Sequence, residues 1–95
     1  MKIGASYLGE GRCEFVVWAP QVKDMALHIS RPGERIMPMT KLAKGYWHLL
    51  AEEIMPGTDY FYQLDKDIER PDPASSYQPQ GVHGPSRVMD QNNFK

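Results

Sequence analysis

The groups in this 95-residue chain that could carry chemistry are three histidines, one cysteine and twelve Asp or Glu side chains. Their spacing decides what they can do. His28, His48 and His83 share no metal-ligand spacing, and Cys13 alone cannot complete a tetrahedral set with them, so no metal site is expected. Asp65-Lys66-Asp67-Ile68-Glu69 begins like a calcium loop, yet its sixth position is Arg70 instead of Gly and Pro71 follows. The turn that wraps oxygens round the ion cannot form there, and the stretch reads as a solvated acidic turn. Glu52, Glu53, Asp65, Asp67 and Asp72 fall at strand ends or in turns, where carboxylates are ordinarily solvated and no acid–base pair is held across a cleft. With no Gly-rich phosphate loop, Ser-His-Asp arrangement or Cys-His pair, neither a catalytic residue nor a cofactor is expected in this chain.

The elements that position these groups are strands. Arg12 to Ala19 is apolar on both faces, as a central strand of a sandwich would be, with Pro20 ending it. Met25, Leu27 and Ile29 alternate with smaller or polar residues up to Arg31-Pro32-Gly33-Glu34, where Pro-Gly suits a type II turn. Ile36 to Met39 reads as a short edge strand weakened by Pro38, Lys41 to Gly45 as a connection, and Tyr46 to Ala51 as the next strand. Met55-Pro56-Gly57-Thr58 repeats the Pro-Gly turn, and Tyr60 to Leu64 alternates after it. Trp18, Trp47, Tyr60 and Tyr62 all lie in apolar strands and are assigned to the core or the space between sheets. The pattern predicts an all-β fold, a small antiparallel β-sandwich with an irregular Pro-rich arm at its C-terminal side. We divide the chain into a sandwich at 1–66 and an arm at 67–95. Val88 is the one position in the arm expected to open a further short strand, since Pro71, Pro73, Pro79 and Pro85 exclude regular structure before it.

Composition excludes several partners. The net charge of -1, with Lys and Arg scattered, provides no basic stripe for nucleic acid. No run approaches the roughly 18 apolar residues of a membrane helix, so a membrane partner is not expected. A single cysteine beside an apolar run agrees with a reducing, cytoplasmic setting.

The most specific stretch runs Arg70-Pro71-Asp72-Pro73-Ala74-Ser75, then Gln78-Pro79 and Gly81-Val82-His83-Gly84-Pro85-Ser86. With the Phe15-Val16-Val17-Trp18-Ala19-Pro20 strand, it resembles the amino-terminal domain of the malto-oligosyltrehalose trehalohydrolases, α-amylase-type glycoside hydrolases. The resemblance implies an early-set, immunoglobulin-like domain placed before a catalytic (β/α)-barrel of the same polypeptide, and that barrel supplies the nucleophile and acid. It further implies a parent reaction, cofactor-free hydrolysis of the α-1,4 bond next to the terminal trehalose unit of maltooligosyl trehalose. The partners it implies are the barrel and, through the parent, α-glucan or maltooligosyl trehalose.

Related glycogen-targeting modules stack sugar on a Trp after the second sandwich strand and on another after the Tyr-x-Tyr strand. Neither corresponding stretch here carries an aromatic, which leaves Trp47 and Tyr62 as the candidates for direct carbohydrate contact. Arg70, Asp72, Tyr77, Val82 and His83 are the candidates for an arm that docks on the barrel. Two further readings are a free-standing α-glucan-binding module and the N-terminal domain of a branching or debranching enzyme; the Gly81 to Ser86 run counts against the second.

Overall fold

A computed structural model describes residues 3–66, 68–70 and 86–88. These residues form an antiparallel β-sandwich, as the alternation predicts. In chain order the strands are β1 (Gly4–Gly9), β2 (Arg12–Trp18), β3 (Met25–Arg31), β4 (Arg35–Pro38), β5 (Thr40–Lys41), β6 (Tyr46–Ala51), β7 (Asp59–Leu64), β8 (Ile68–Arg70) and β9 (Ser86–Arg87). One sheet has the order β1-β2-β6-β5, and we call it sheet A. Sheet B has the order β4-β3-β7-β8, with β9 also on β7.

The period-2 alternation sorts side chains between the two faces of each sheet. Cys13, Phe15 and Val17 of β2 and Trp47 of β6 meet Met25, Leu27 and Ile29 of β3 and Tyr60 and Tyr62 of β7, and all are buried. Phe15 meets Tyr60 edge-on with ring centroids 5.1 Å apart, and Tyr60 meets Tyr62 in the same way at 5.9 Å. Such pairs favour edge-to-face contact because the ring edge is positive and the face negative.

The two Pro-Gly dipeptides behave differently. At Met55–Thr58 the Thr58 amide donates to the Met55 carbonyl at 3.1 Å and Gly57 has φ +95°, so the predicted type II turn is present. At Arg31–Glu34 the chain also reverses, but the Arg31-Pro32 bond is cis and Gly33 lacks the positive φ that a type II turn demands there. A third glycine is fixed by space. Gly45 has φ +88°, and a Cβ on it would stand 2.6 Å from Pro20 Cβ. Its carbonyl accepts the Ala19 amide at 2.8 Å, joining the end of β2 to the 3-10 turn Ala43–Gly45 ahead of β6.

Two sequence expectations are corrected. Trp18 is not a core residue: it lies on the outer face of sheet A and is 58% exposed, while Val16, two positions before it, is fully buried. An apolar residue on both faces of a strand does not require both faces to be covered along its whole length. Nor does the sandwich stop at residue 66. Ile68–Arg70 and Ser86–Arg87 both pair with β7, and Val88 is 1% exposed within the core, so the division into 1–66 and 67–95 cuts through sheet B.

Candidate functional site

The polar groups of the sequence end up in structural roles. Cys13 is fully buried on the inner strand β2 of sheet A, and burial pushes its thiol up to about 12, which keeps it protonated and unreactive. Glu52 and Glu53 are exposed in the β6–β7 loop. Asp65 accepts the backbone amides of Lys23 (2.8 Å) and Asp24 (3.0 Å). Those two bonds hold its carboxyl below the usual range, and they make the acidic turn a latch for the β2–β3 loop.

Asp59 is a carboxylate that sequence reasoning passed over. Its side chain is 1% exposed, and it receives Arg87 Nε at 2.7 Å, Arg87 Nη2 at 3.3 Å and Arg31 Nε at 3.2 Å. Arg87 first, and Arg31 with it, hold Asp59 ionised against its burial, so it is a clamp and not a proton donor. Only the distant pairing of β9 with β7 brings Arg87 to it, and no local spacing in the sequence signals that contact.

The outer face of sheet B carries a charged bracket, with the exposed Ile36 opposite its histidine. His28 stands between Glu34 of the β3–β4 turn, at 2.8 Å from Nε2, and Glu69 of β8, which bonds Nδ1. Phe61 lies beside the imidazole, with ring centroids 6.4 Å apart. Among the described residues no group of three or more His, Cys, Asp or Glu could hold a metal.

The outer face of sheet A differs. Register places Trp18 opposite Tyr46, Val16 opposite His48 and Glu14 opposite Leu50. Glu14 and His48 are joined at 2.8 Å in the middle of this face. On this face Trp18 and Leu50 are open to solvent while Val16, opposite His48, is buried; Leu8, at the register shift near the end of β1, is exposed as well. The Trp18 indole is not free to turn, because its Nε1–H donates to the Lys44 carbonyl at 2.9 Å. The result is a fixed, exposed aromatic plate at one end of this face.

The residues singled out from sequence are distributed as follows. Trp47 is 4% exposed with its Nε1–H given to the Ala19 carbonyl at 3.1 Å, and Tyr62 is 1% exposed, so neither presents a ring face to a sugar. Arg70 ends β8, exposed, with Nη1 donating to the Glu69 carbonyl at 3.1 Å. Asp72, Tyr77, Val82 and His83 lie outside the described residues. Trp18 is the aromatic that reasoning placed wrongly, and the Ala19-Pro20 that ends β2 right after it was the available signal that its face lies at a rim.

Comparison with known proteins gives consistent matches. The family model described as Carbohydrate-binding module 48 (Isoamylase N-terminal domain) matches residues 2–77. The chain is similar to the malto-oligosyltrehalose trehalohydrolase of Saccharolobus solfataricus, with 40% identity over 82 residues, or 86% of this chain and 14% of that protein. It is similar to the one from Deinococcus radiodurans, with 31% identity over 98% of this chain and 15% of the relative. Among solved structures, a putative alpha amylase from Salmonella typhimurium superposes with a TM-score of 0.85 and 29% identity, covering 98% of this chain and 15% of its own. A pullulanase from Bacillus acidopullulyticus, at 20% identity and TM-score 0.81 over 94% of this chain and 12% of its own, shares the fold. The chain thus spans only about one seventh of the length of such relatives.

Proposed function

The chain belongs to the carbohydrate-binding module 48 family as a non-catalytic domain, and from that premise we propose that it serves a malto-oligosyltrehalose trehalohydrolase by packing against and positioning its catalytic barrel. The parent reaction on this reading is hydrolysis of the α-1,4 bond beside the terminal trehalose unit of maltooligosyl trehalose, a step of trehalose biosynthesis. We place that reaction in the cytoplasm, where a lone thiol such as Cys13 stays reduced.

The observation that carries the proposal is the outer face of sheet A. Trp18 and Leu50 are exposed on this face with the Trp18 ring held in place, and fixed aromatic plates are the residues that contribute most when a protein surface is buried. A second reading, direct α-glucan binding, is favoured by the same Trp18 ring, since a rigid exposed indole also suits a sugar face. It has less support because the described residues of the turns at 30–34 and 65–68 provide no second aromatic platform.

The two readings separate in one experiment. The chain alone is expected to leave maltooligosyl trehalose intact, and to bind a separately produced barrel region of the parent in calorimetry. Trp18→Ala should weaken that binding at least tenfold while leaving the circular dichroism of the chain unchanged. Retardation in a glycogen affinity gel at micromolar protein, lost in the same variant, would instead identify a glucan-binding module.

A further inference from the structure

The pairing along the outer edge of β7 holds a regularity that the chain order conceals. β8 pairs with β7 as Leu64 with Ile68, Gln63 with Glu69 and Tyr62 with Arg70. A strand continuing in that register would put residue 71 opposite Phe61 and residue 72 opposite Tyr60. What stands opposite Tyr60 is Ser86, followed by Arg87 opposite Asp59. The two short strands therefore run in the same direction along the same edge, in registers that differ by 14 residues (86 against 72).

Each half has its own attachment. β8 is tied by its ladder and by Glu69 reaching across β7 to His28. β9 is tied by Arg87 on Asp59 and by the Val88 amide donating to the Thr58 carbonyl at 2.8 Å. The Gly57 amide returns a bond to the Val88 carbonyl at 2.8 Å, and the Val88 side chain is in the core. The departure point and the return point are two residues apart on β7, about 7 Å.

We infer that β8 and β9 are two halves of one edge strand, and that residues 72–85 are an insertion in it which the sandwich does not need in order to fold. Removing them leaves Ile68-Glu69-Arg70-Pro71-Ser86-Arg87 opposite Leu64 to Asp59, with every existing pair kept. Pro71 then falls opposite Phe61 on an edge strand, a place where the absent N–H is tolerated. The fold then belongs to the strand halves, and the Pro-, Gly- and His-containing tract between them is the insertion. Its content is then free to vary while its two ends remain fixed to the sandwich.

Two variants of the whole chain test this, and neither result depends on what the parent enzyme does. The first deletes residues 72–85; the second replaces them with fourteen Gly and Ser residues. Both are expected to unfold cooperatively, the deletion within about 5 °C of the parent Tm or above it because a long closed loop has been removed. In both, hydrogen exchange at the amides of β7 should stay as slow as in the parent. Collapse of both variants, or of the Gly-Ser variant alone, would mean that side chains of 72–85 belong to the sandwich and would overturn the inference. A folded Gly-Ser variant beside an unfolded deletion would overturn the single-strand assignment, because the halves could not then be joined through Pro71.

Discussion

At the scale of single residues, His28 shows what the outer face of sheet B is for. Both ring nitrogens face carboxylates, an arrangement in which a neutral imidazole would meet one of them with a lone pair, so the geometry selects the doubly protonated ring. Partial burial acts to lower its pKa, but Glu34 and Glu69 outweigh this and raise it above the ordinary value. A group that holds its proton more tightly when folded stabilises the fold below its unfolded pKa, about 6.5, and loses that contribution as pH rises through the folded value. His28→Gln should therefore lower stability most at about pH 5 to 6 and progressively less at higher pH. Urea denaturation midpoints of the two proteins across that range measure the difference, and a difference that is flat with pH would show that the bracket carries no charge-dependent stability. Asp59 belongs to the same scale with the opposite sign, its ionised form being the one that Arg87 and Arg31 hold.

At the scale of elements, the glycines distinguish turns that need backbone freedom from a turn that also needs space. Gly57 and Gly45 both have positive φ, but a Cβ at Gly57 meets nothing within 4 Å while one at Gly45 meets Pro20 Cβ at 2.6 Å and Pro20 Cα at 2.8 Å. Gly57→Ala should cost about 1 kcal/mol, the strain of the conformation alone. Gly45→Ala should cost about 3 kcal/mol, since the junction between β2 and the turn before β6 must open as well. Chemical denaturation ranks the two, and equal losses would place the Pro20 contact outside the energetics. The sequence was most readable where alternation is local: β2, β3, β6 and β7 appear close to where the period-2 pattern puts them. It was least readable where structure depends on remote pairing. The short strands β8 and β9 have no pattern of their own and exist because β7 offers a free edge, which is also why Arg87 and Asp59 could not be matched in advance. The exposure of Trp18 escaped for a related reason, since alternation reports which residues share a face but not how far that face is covered.

At the scale of the whole molecule, the sandwich has two unlike outer faces. One carries His28 between two glutamates with the exposed Ile36 opposite it, and the other carries the Glu14–His48 pair with Trp18 and Leu50 exposed on the same strands. Between the faces lies Cys13, the sole cysteine of the chain, near the start of the inner strand β2 and opposite Ala51. Its position turns the protein into its own stopwatch. The Cys13 thiolate would attack a sulfur of an aromatic disulfide reagent, forming a mixed disulfide as the reagent's S–S bond breaks and an aryl thiolate leaves; this needs a deprotonated thiol and room for the reagent, and the folded chain denies both. Labelling must wait for β2 to part from its neighbours, so the rate in native buffer, divided by the rate in strong denaturant, reports the fraction of molecules open at any moment. For a domain with about 6 kcal/mol of stability the native rate should be slower by about four orders of magnitude. Addition of whatever binds the folded sandwich should slow it further, so that one colour change follows ligand, partner and mutation alike without any introduced probe.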